Sequence, residues 1–309
     1  MIKTNKIRDL SNIIDFLDYF KDEQTCRNYL EEIRWNKNPF CPHCGNMEVF
    51  RYKDGRLFKC KACRKQFTVK VGTIFEDSKI PLQKWFLAIF IVTAHKKGIS
   101  SIQLSRDVAV TQKTAWFMLQ RIRYALNRRL DSGQLDGTVE IDESFFGGED
   151  KFKHQSKKLN RQGKDEKTII MGLIQRDGRV ITEKIPSVHS WVLQPLVRKY
   201  VKRGSTVITD SFRAYGGLHS GYAHEIVKHM AGEYVRGNYH TNTLEGFWSL
   251  VRRGFYGIYH SISDKHMTRY LDEFSFRYDL RNRSQVERFG NMLLLSDNKR
   301  LAYKDLIAN

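Results

Sequence analysis

The spacing of apolar positions changes several times along the chain, and the changes divide it. Over residues 11–35 they recur at helical intervals, so Ile13, Ile14, Phe16, Leu17 and Phe20 predict the apolar face of one or two short helices. From 48 to 69 the period shortens to two. Residues 48–52 and 56–59 alternate about a turn at Asp54-Gly55, and 66–69 supply a further arm. Helical spacing returns after Pro81. Residues 82–97 predict a helix closed by Gly98, and Ser100 or Ser101 caps a short one over 102–108. Thr111 caps a third, 112–130, after a turn at Ala109-Val110. The longest apolar run, 85–94, suits a buried helix and is too short to span a membrane.

Strands dominate from residue 136. The pattern predicts them at 138–145, 168–175 and 180–185, with Asp177-Gly178 turning the chain between the last two. A helix over 191–202 comes next, then short strands at 206–209 and 225–227, helices at 242–253 and 264–283, and a terminal helix near 286–295. Three antiparallel strands, a crossover helix and further short strands form the order of an α/β, ribonuclease H-like mixed sheet with flanking helices. The expected domains are a helical segment (1–37), a ribbon (38–72), a helix-turn-helix (78–132), the ribonuclease H-like domain (136–285) and a C-terminal tail (286–309).

Cysteines give the ribbon its chemistry. Cys41-Pro-His-Cys44 and Cys60-Lys-Ala-Cys63 stand fifteen residues apart, one hook at each end of the predicted hairpin. Two such hooks grip one tetrahedral Zn²⁺, and four thiolates leave no open position, so the zinc is expected to be structural. A redox dithiol would need no second pair. Cys26 has no such partner and reads as a small buried side chain. Paired cysteines, with a polar start to the chain, favour a reducing compartment, the cytoplasm, and no membrane association.

The three helices after Pro81 have helix-turn-helix spacing. Gln112, Lys113 and Thr114 fall in the first turn of the third helix, where base-edge contacts arise, and Arg121 lies further along the same helix. Any three amphipathic helices imitate this pattern, but the charge favours it. Lys and Arg number 53 against 34 Asp and Glu, a net charge of +19, which favours a polyanionic partner through counterion release. Residues 150–167 are basic and poor in apolar side chains, and predict a loop between the first two strands of the sheet.

Three acidic positions stand out. Asp142 lies in the first strand, Asp210 ends the fourth, and Glu245 opens the helix after the fifth. In a ribonuclease H-like sheet these places converge at one edge, where hard oxygen ligands suit Mg²⁺ or Mn²⁺. Each also has a plain structural reading. Asp142 is a solvated strand residue, sharing a face with Glu140 and Ser144. Asp210 with Ser211 caps the next helix, and Asn242-Thr-Leu-Glu245 is a capping box.

The set carries a resemblance that its members do not. The cysteine hooks, Ile141-Asp-Glu-Ser-Phe-Phe-Gly-Gly148, Thr209-Asp-Ser-Phe-Arg-Ala-Tyr215 and His240-Thr-Asn-Thr-Leu-Glu-Gly-Phe-Trp-Ser-Leu250 make the chain similar to bacterial insertion-sequence transposases with a zinc ribbon before an Asp-Asp-Glu domain. Tyr256-Gly-Ile-Tyr-His260 and Tyr270-Leu-Asp-Glu-Phe-Ser-Phe-Arg277 fit as well, and the likeness runs from about residue 25 to 283. It implies DNA strand cleavage and strand transfer, with Asp142, Asp210 and Glu245 holding two metal ions. Some members are described with Asn in the third place, which makes Asn242 the rival or auxiliary ligand. Arg252, seven residues past Glu245, stands where such enzymes carry a cation for the DNA phosphate. The implied partners are transposon-end and target DNA and a second copy of the chain. A DNA-binding regulator without catalysis, or a structure-specific nuclease, would share many of these features.

Overall fold

A computed structural model describes residues 10, 12–127, 133–147, 167–227, 237 and 239–307. The basic stretch 150–167 falls almost wholly outside them. The chain divides into two compact units: Met1–Asn127 with Asn282–Asn309, and Arg128–Arg281.

The first unit begins with α1 (Ile13–Tyr19) and α2 (Glu23–Trp35), whose N-termini are capped by the side chains of Asn12 and Asp22. Phe16 and Phe20 turn inward, whereas Ile13, Ile14 and Leu17, expected on the same apolar face, are exposed. A three-stranded antiparallel sheet comes next, β1 (Val49–Arg51), β2 (Phe58–Cys60) and β3 (Gln66–Phe67), in sequential order. Gly55 holds φ +66° in the first hairpin turn, the left-handed conformation that glycine adopts without strain.

The helices α3 (Leu82–Ala94), α4 (Ser101–Asp107) and α5 (Gln112–Ala125) continue the unit. Ser100 and Thr111 cap the second and third as the sequence predicts. The first has Pro81 at its N-cap without a side-chain bond of its own. Glu23 supplies the acceptor instead, taking the Leu82 N–H at 2.7 Å from a distant part of the chain. Helices α9 (Gln285–Leu295) and α10 (Tyr303–Ile307) belong to this unit. They are not a tail: Phe289 is fully buried and its ring sits 5.5–5.6 Å from those of Phe16, Phe20 and Phe86. Sequence periodicity located α9 but carried no sign of its distant partners.

The second unit holds β4 (Thr138–Phe146), β5 (Thr168–Gln175), β6 (Val180–Ile185), α6 (Ser190–Tyr200), β7 (Thr206–Asp210) and β8 (Ala223–Val227). Helices α7 (Asn242–Gly254) and α8 (Asp264–Asp279) complete it. The sheet order is β6-β5-β4-β7-β8; β4, β5 and β6 are antiparallel neighbours, while β7 and β8 run parallel to β4. This is the mixed ribonuclease H-like sheet expected from the strand order.

Alternation along β4 sends Val139 and Ile141 into one core with Leu193 and Val197 of α6. On the other face Phe146, Ile170 and Ile174 pack with Leu244, Phe247, Trp248 and Val251 of α7. Gly172, opposite Asp142 in the ladder, admits the Trp248 ring, because a Cβ there would lie 2.5 Å from Cζ2. No helix among the described residues is long and apolar enough to cross a membrane.

Candidate active site and zinc centre

Two strand ends and one helix create the acidic edge. The β4–β7 ladder pairs Thr138 with Thr206 and Glu140 with Ile208, and the same offset carried forward sets Asp142 beside Asp210 where the strands part. On β4, side chains of even number face α7, and three of them meet it in succession. Glu140 meets the helix start, Asp142 lies near Glu245 and Trp248, and the Ser144 hydroxyl accepts a 2.8 Å bond from Arg252.

Glu140 is fully buried and anchors this arrangement. One oxygen accepts the Leu244 N–H at 3.0 Å, and the other accepts the Thr243 hydroxyl at 2.8 Å and Arg176 Nε at 2.9 Å. Arg176 also donates to the His240 carbonyl at 3.1 Å, just before the helix. The expected capping box of Asn242 and Glu245 is therefore not formed. The N-cap is Thr241, it makes no side-chain bond to the helix backbone, and its hydroxyl donates to Glu245 Oε1 at 3.0 Å. A strand carboxylate caps the helix here and at the same time pairs with the half-buried Arg176, which offsets the cost of burying the Glu140 charge.

Burial pushes the Asp142 carboxyl up to about 6; the charges of Asp210 and Glu245 add to the rise, and the Glu143 backbone N–H and the Trp248 indole oppose it. The neighbouring Glu143 faces the opposite core. Burial raises it to about 7, against the Tyr215 hydroxyl that donates to its Oε1, with Asp142 and Asp210 adding to the rise. Burial likewise lifts the Tyr215 hydroxyl well above its usual range. Asp210 Oδ1 accepts the Phe212 N–H at 3.0 Å and so orders the turn that carries Tyr215.

Asp142, Asp210 and Glu245, singled out from the sequence, lie near enough to act on one another's charge; the groups that support Asp142 and α7 were not singled out. The signal for Glu140 was its place two residues before Asp142 on the same strand face. Thr243, Arg176 and Gly172 offered none. Asn242 is exposed at the first position of α7. Trp248 and Phe247 are core residues, as expected.

The ribbon cysteines form a tighter cluster. Sγ atoms of Cys41 and Cys63, and of Cys44 and Cys60, are 3.6 Å apart, and all four lie within 4.8 Å of one another. A tetrahedron with 2.3 Å zinc–sulfur bonds has sulfur–sulfur edges of about 3.8 Å, so the four thiols fit Zn²⁺. Among the described residues this is the one group of three or more ligand-type side chains gathered so closely. The carboxylates of Asp142, Asp210 and Glu245 converge more loosely.

The expected DNA contacts separate. Gln112, Lys113 and Thr114 do stand in the first turn of α5, the first two exposed. Gln112 donates to Ser101 on α4 at 2.7 Å, Thr114 Oγ1 is 2.9 Å from Thr111 Oγ1, and the Lys113 ammonium lies 5.5 Å from the Tyr303 ring centre. Arg121, further along the helix, is 5 % exposed, and its guanidinium donates to the carbonyls of Leu301, Ile74 and Glu76 at 2.7–3.0 Å. The reading of Arg121 as a DNA contact is corrected: it ties loops of its own unit together. Helical periodicity placed it on the inner face, and its charge alone had suggested otherwise.

The ISXO2-like transposase domain family matches residues 134–279, and the transposase zinc-ribbon domain matches 21–66. An uncharacterized protein in transposable element ISH50 of Halobacterium salinarum is 33 % identical over 278 residues, 84 % of this chain and 92 % of that protein. An uncharacterized transposase-like protein of Haemophilus influenzae is 30 % identical over 110 residues, 35 % of this chain and 85 % of that one. A pre-cleavage Mos1 transpososome crystal structure aligns over 94 % of this chain and 97 % of its own with 13 % identity and a TM-score of 0.27, too low to bear on the fold.

Proposed function

Since the chain belongs to the ISXO2-like family of insertion-sequence transposases, we propose that it binds the ends of its element and catalyses metal-dependent strand cleavage and strand transfer at the β4–β7 edge. The observation that carries this reading is the convergence of Asp142, Asp210 and Glu245, close enough for the latter two to raise the first. Their oxygens suit a hard cation, and Mg²⁺ bound there would activate the attacking oxygen and stabilise the leaving one. Glu245 is the third ligand and Asn242 an auxiliary, because an anionic oxygen serves Mg²⁺ better than an amide.

The chain's own groups do the rest. A water oxygen attacks the scissile phosphorus, the P–O3′ bond breaks, and the departing oxygen takes up a proton as a 3′-hydroxyl. That hydroxyl then displaces a 3′-oxygen in target DNA. Arg252, held over the edge by Ser144, neutralises a non-bridging phosphate oxygen beside the reacting bond. Helices α4 and α5 act as a helix-turn-helix, with Gln112, Lys113 and Thr114 toward the major groove. The ribbon zinc is structural, and two copies of the chain act together because two element ends join in one event.

The test is Mg²⁺-dependent cleavage and joining of labelled element ends by wild type, Asp210→Asn and Glu245→Gln. Loss of both reactions in the variants, with end binding retained, is the expected result. Cleavage without joining in wild type would make the protein a nuclease. Binding without cleavage under Mg²⁺ and Mn²⁺, or full activity of the variants, would favour a regulator.

A further inference from the structure

Strands β4 and β7 carry Asp142 and Asp210, yet the ladder between them stops short of both. Its last pair is Glu140 with Ile208. Each aspartate is held from its outer side, Asp142 by pairing with Gly172 of β5 and Asp210 by pairing with Val227 of β8. Between them the strands part, and the two carboxylates repel, since the charge of Asp210 acts on Asp142 across the gap.

One side-chain bond spans the parting strands. Glu143 follows Asp142 on β4, and alternation turns it to the opposite face, toward the core that α6 covers. There Glu143 Oε1 accepts the hydroxyl of Tyr215, a residue 1 % exposed and five past Asp210. Tyr215 ends the single turn of 3₁₀ helix, Arg213–Tyr215, that follows β7. The same turn is fixed at two further points. Gln194 of α6 donates to the Ala214 carbonyl at 3.0 Å, and the Phe212 N–H donates to Asp210 Oδ1 at 3.0 Å. The charges of both aspartates act on Glu143 and on Tyr215, so the pair stands close behind the acidic edge. Neither group shares the sheet face of α7, which carries Glu245 and Arg252, so strand cleavage as described makes no use of them.

We propose that Glu143 and Tyr215 are positioning residues, whose hydrogen bond sets the separation and direction of Asp142 and Asp210 for a shared divalent cation. The proposal rests on the reading of this edge as a metal-dependent strand-cleaving site. Mg²⁺ requires near-octahedral oxygen ligands at about 2.0–2.1 Å, so carboxylates on two parting strands serve it only if their backbones are fixed relative to each other. The bond does this without touching the ion, by tying the turn after Asp210 to the residue after Asp142. Groups that orient metal ligands from behind typically contribute about 10–100-fold to affinity.

The experiment follows Mn²⁺ binding to the full-length, zinc-loaded protein without DNA, through loss of the free-ion EPR signal. Binding that Asp142→Asn abolishes defines the site. Tyr215→Phe deletes the donor alone and should weaken that binding about tenfold in a protein that still melts cooperatively. Glu143→Gln keeps an acceptor for the hydroxyl and should hold affinity within about threefold of wild type. Unchanged affinity in Tyr215→Phe, with or without a lower melting temperature, would overturn the proposal and leave the bond a purely structural one. So would a loss in Glu143→Gln as large as in Tyr215→Phe, which would assign the effect to the Glu143 charge. A wild type without any Asp142-dependent Mn²⁺ site would overturn the reading of the edge itself, and the proposal with it, so the two failures give different results.

Discussion

Asp142 shows how far one residue is legible in a sequence. Its strand, its face and its company were all readable from spacing. The protonation it favours was not, because that depends on burial by residues distant in sequence and on the charges of Asp210 and Glu245. The sign of the consequence is definite. In metal-free protein the folded carboxyl titrates near 6 and the unfolded one near 4, so between those values the folded state holds a proton that the unfolded state has lost. This contribution is fully present below about pH 4 and disappears as pH rises through 6. Urea denaturation in EDTA should therefore find Asp142→Asn more stable than wild type at pH 7.5, by on the order of 2 kcal/mol after solvent screening, and nearly equal to it at pH 4. A difference independent of pH would contradict the burial account. Arg121 gives the reverse lesson: a cation on a helix expected to face DNA reads as a phosphate contact until its inward direction is given full weight.

At the scale of elements, regular structure followed the period of the sequence closely, helix starts included; helices expected over 82–97 and 264–283 end earlier, at Ala94 and Asp279, and the period did not show which groups cap the starts. Local capping rules place Asn242 and Pro81 at two of them. In each case a carboxylate from elsewhere in the chain does the capping, Glu140 for α7 and Glu23 for α3. Such partners are 104 and 59 residues away and no local pattern announces them. The seating of α7 on the sheet is similarly non-local. Gly172→Ala would drive a methyl group into the buried Trp248 ring and against Leu244 of the same helix, so the helix should lift and carry Glu245 with it. We expect a loss of about 1–3 kcal/mol in stability and a cleavage rate lowered by roughly tenfold or more, since small misplacements of reacting groups are costly. Thermal melts and single-turnover cleavage check both, and an unaltered rate in a folded variant would show that α7 does not position the site.

For the whole molecule, the informative feature is that Gln285–Leu295 completes a core begun by Phe16, Phe20 and Phe86. The family signature reaches both units but says nothing of this closure. Phe289→Ala leaves a ring-sized void there and should cost the first unit about 3–5 kcal/mol. Hydrogen exchange should show α2 and α3 losing protection while β4 and β5 keep theirs; uniform loss across both would mean that the two units unfold together.

The same closure orders events at the ribosome. Residues of α1 to α5 emerge first, but the ring that seals their aromatic core arrives only after the entire strand-bearing unit has been synthesised. Until then an apolar pocket faces the solvent and invites chaperones and proteases. Prematurely terminated chains lack that ring and keep the pocket open. A stable first unit thus becomes a property of finished copies alone, each delivered with the strand-bearing unit attached.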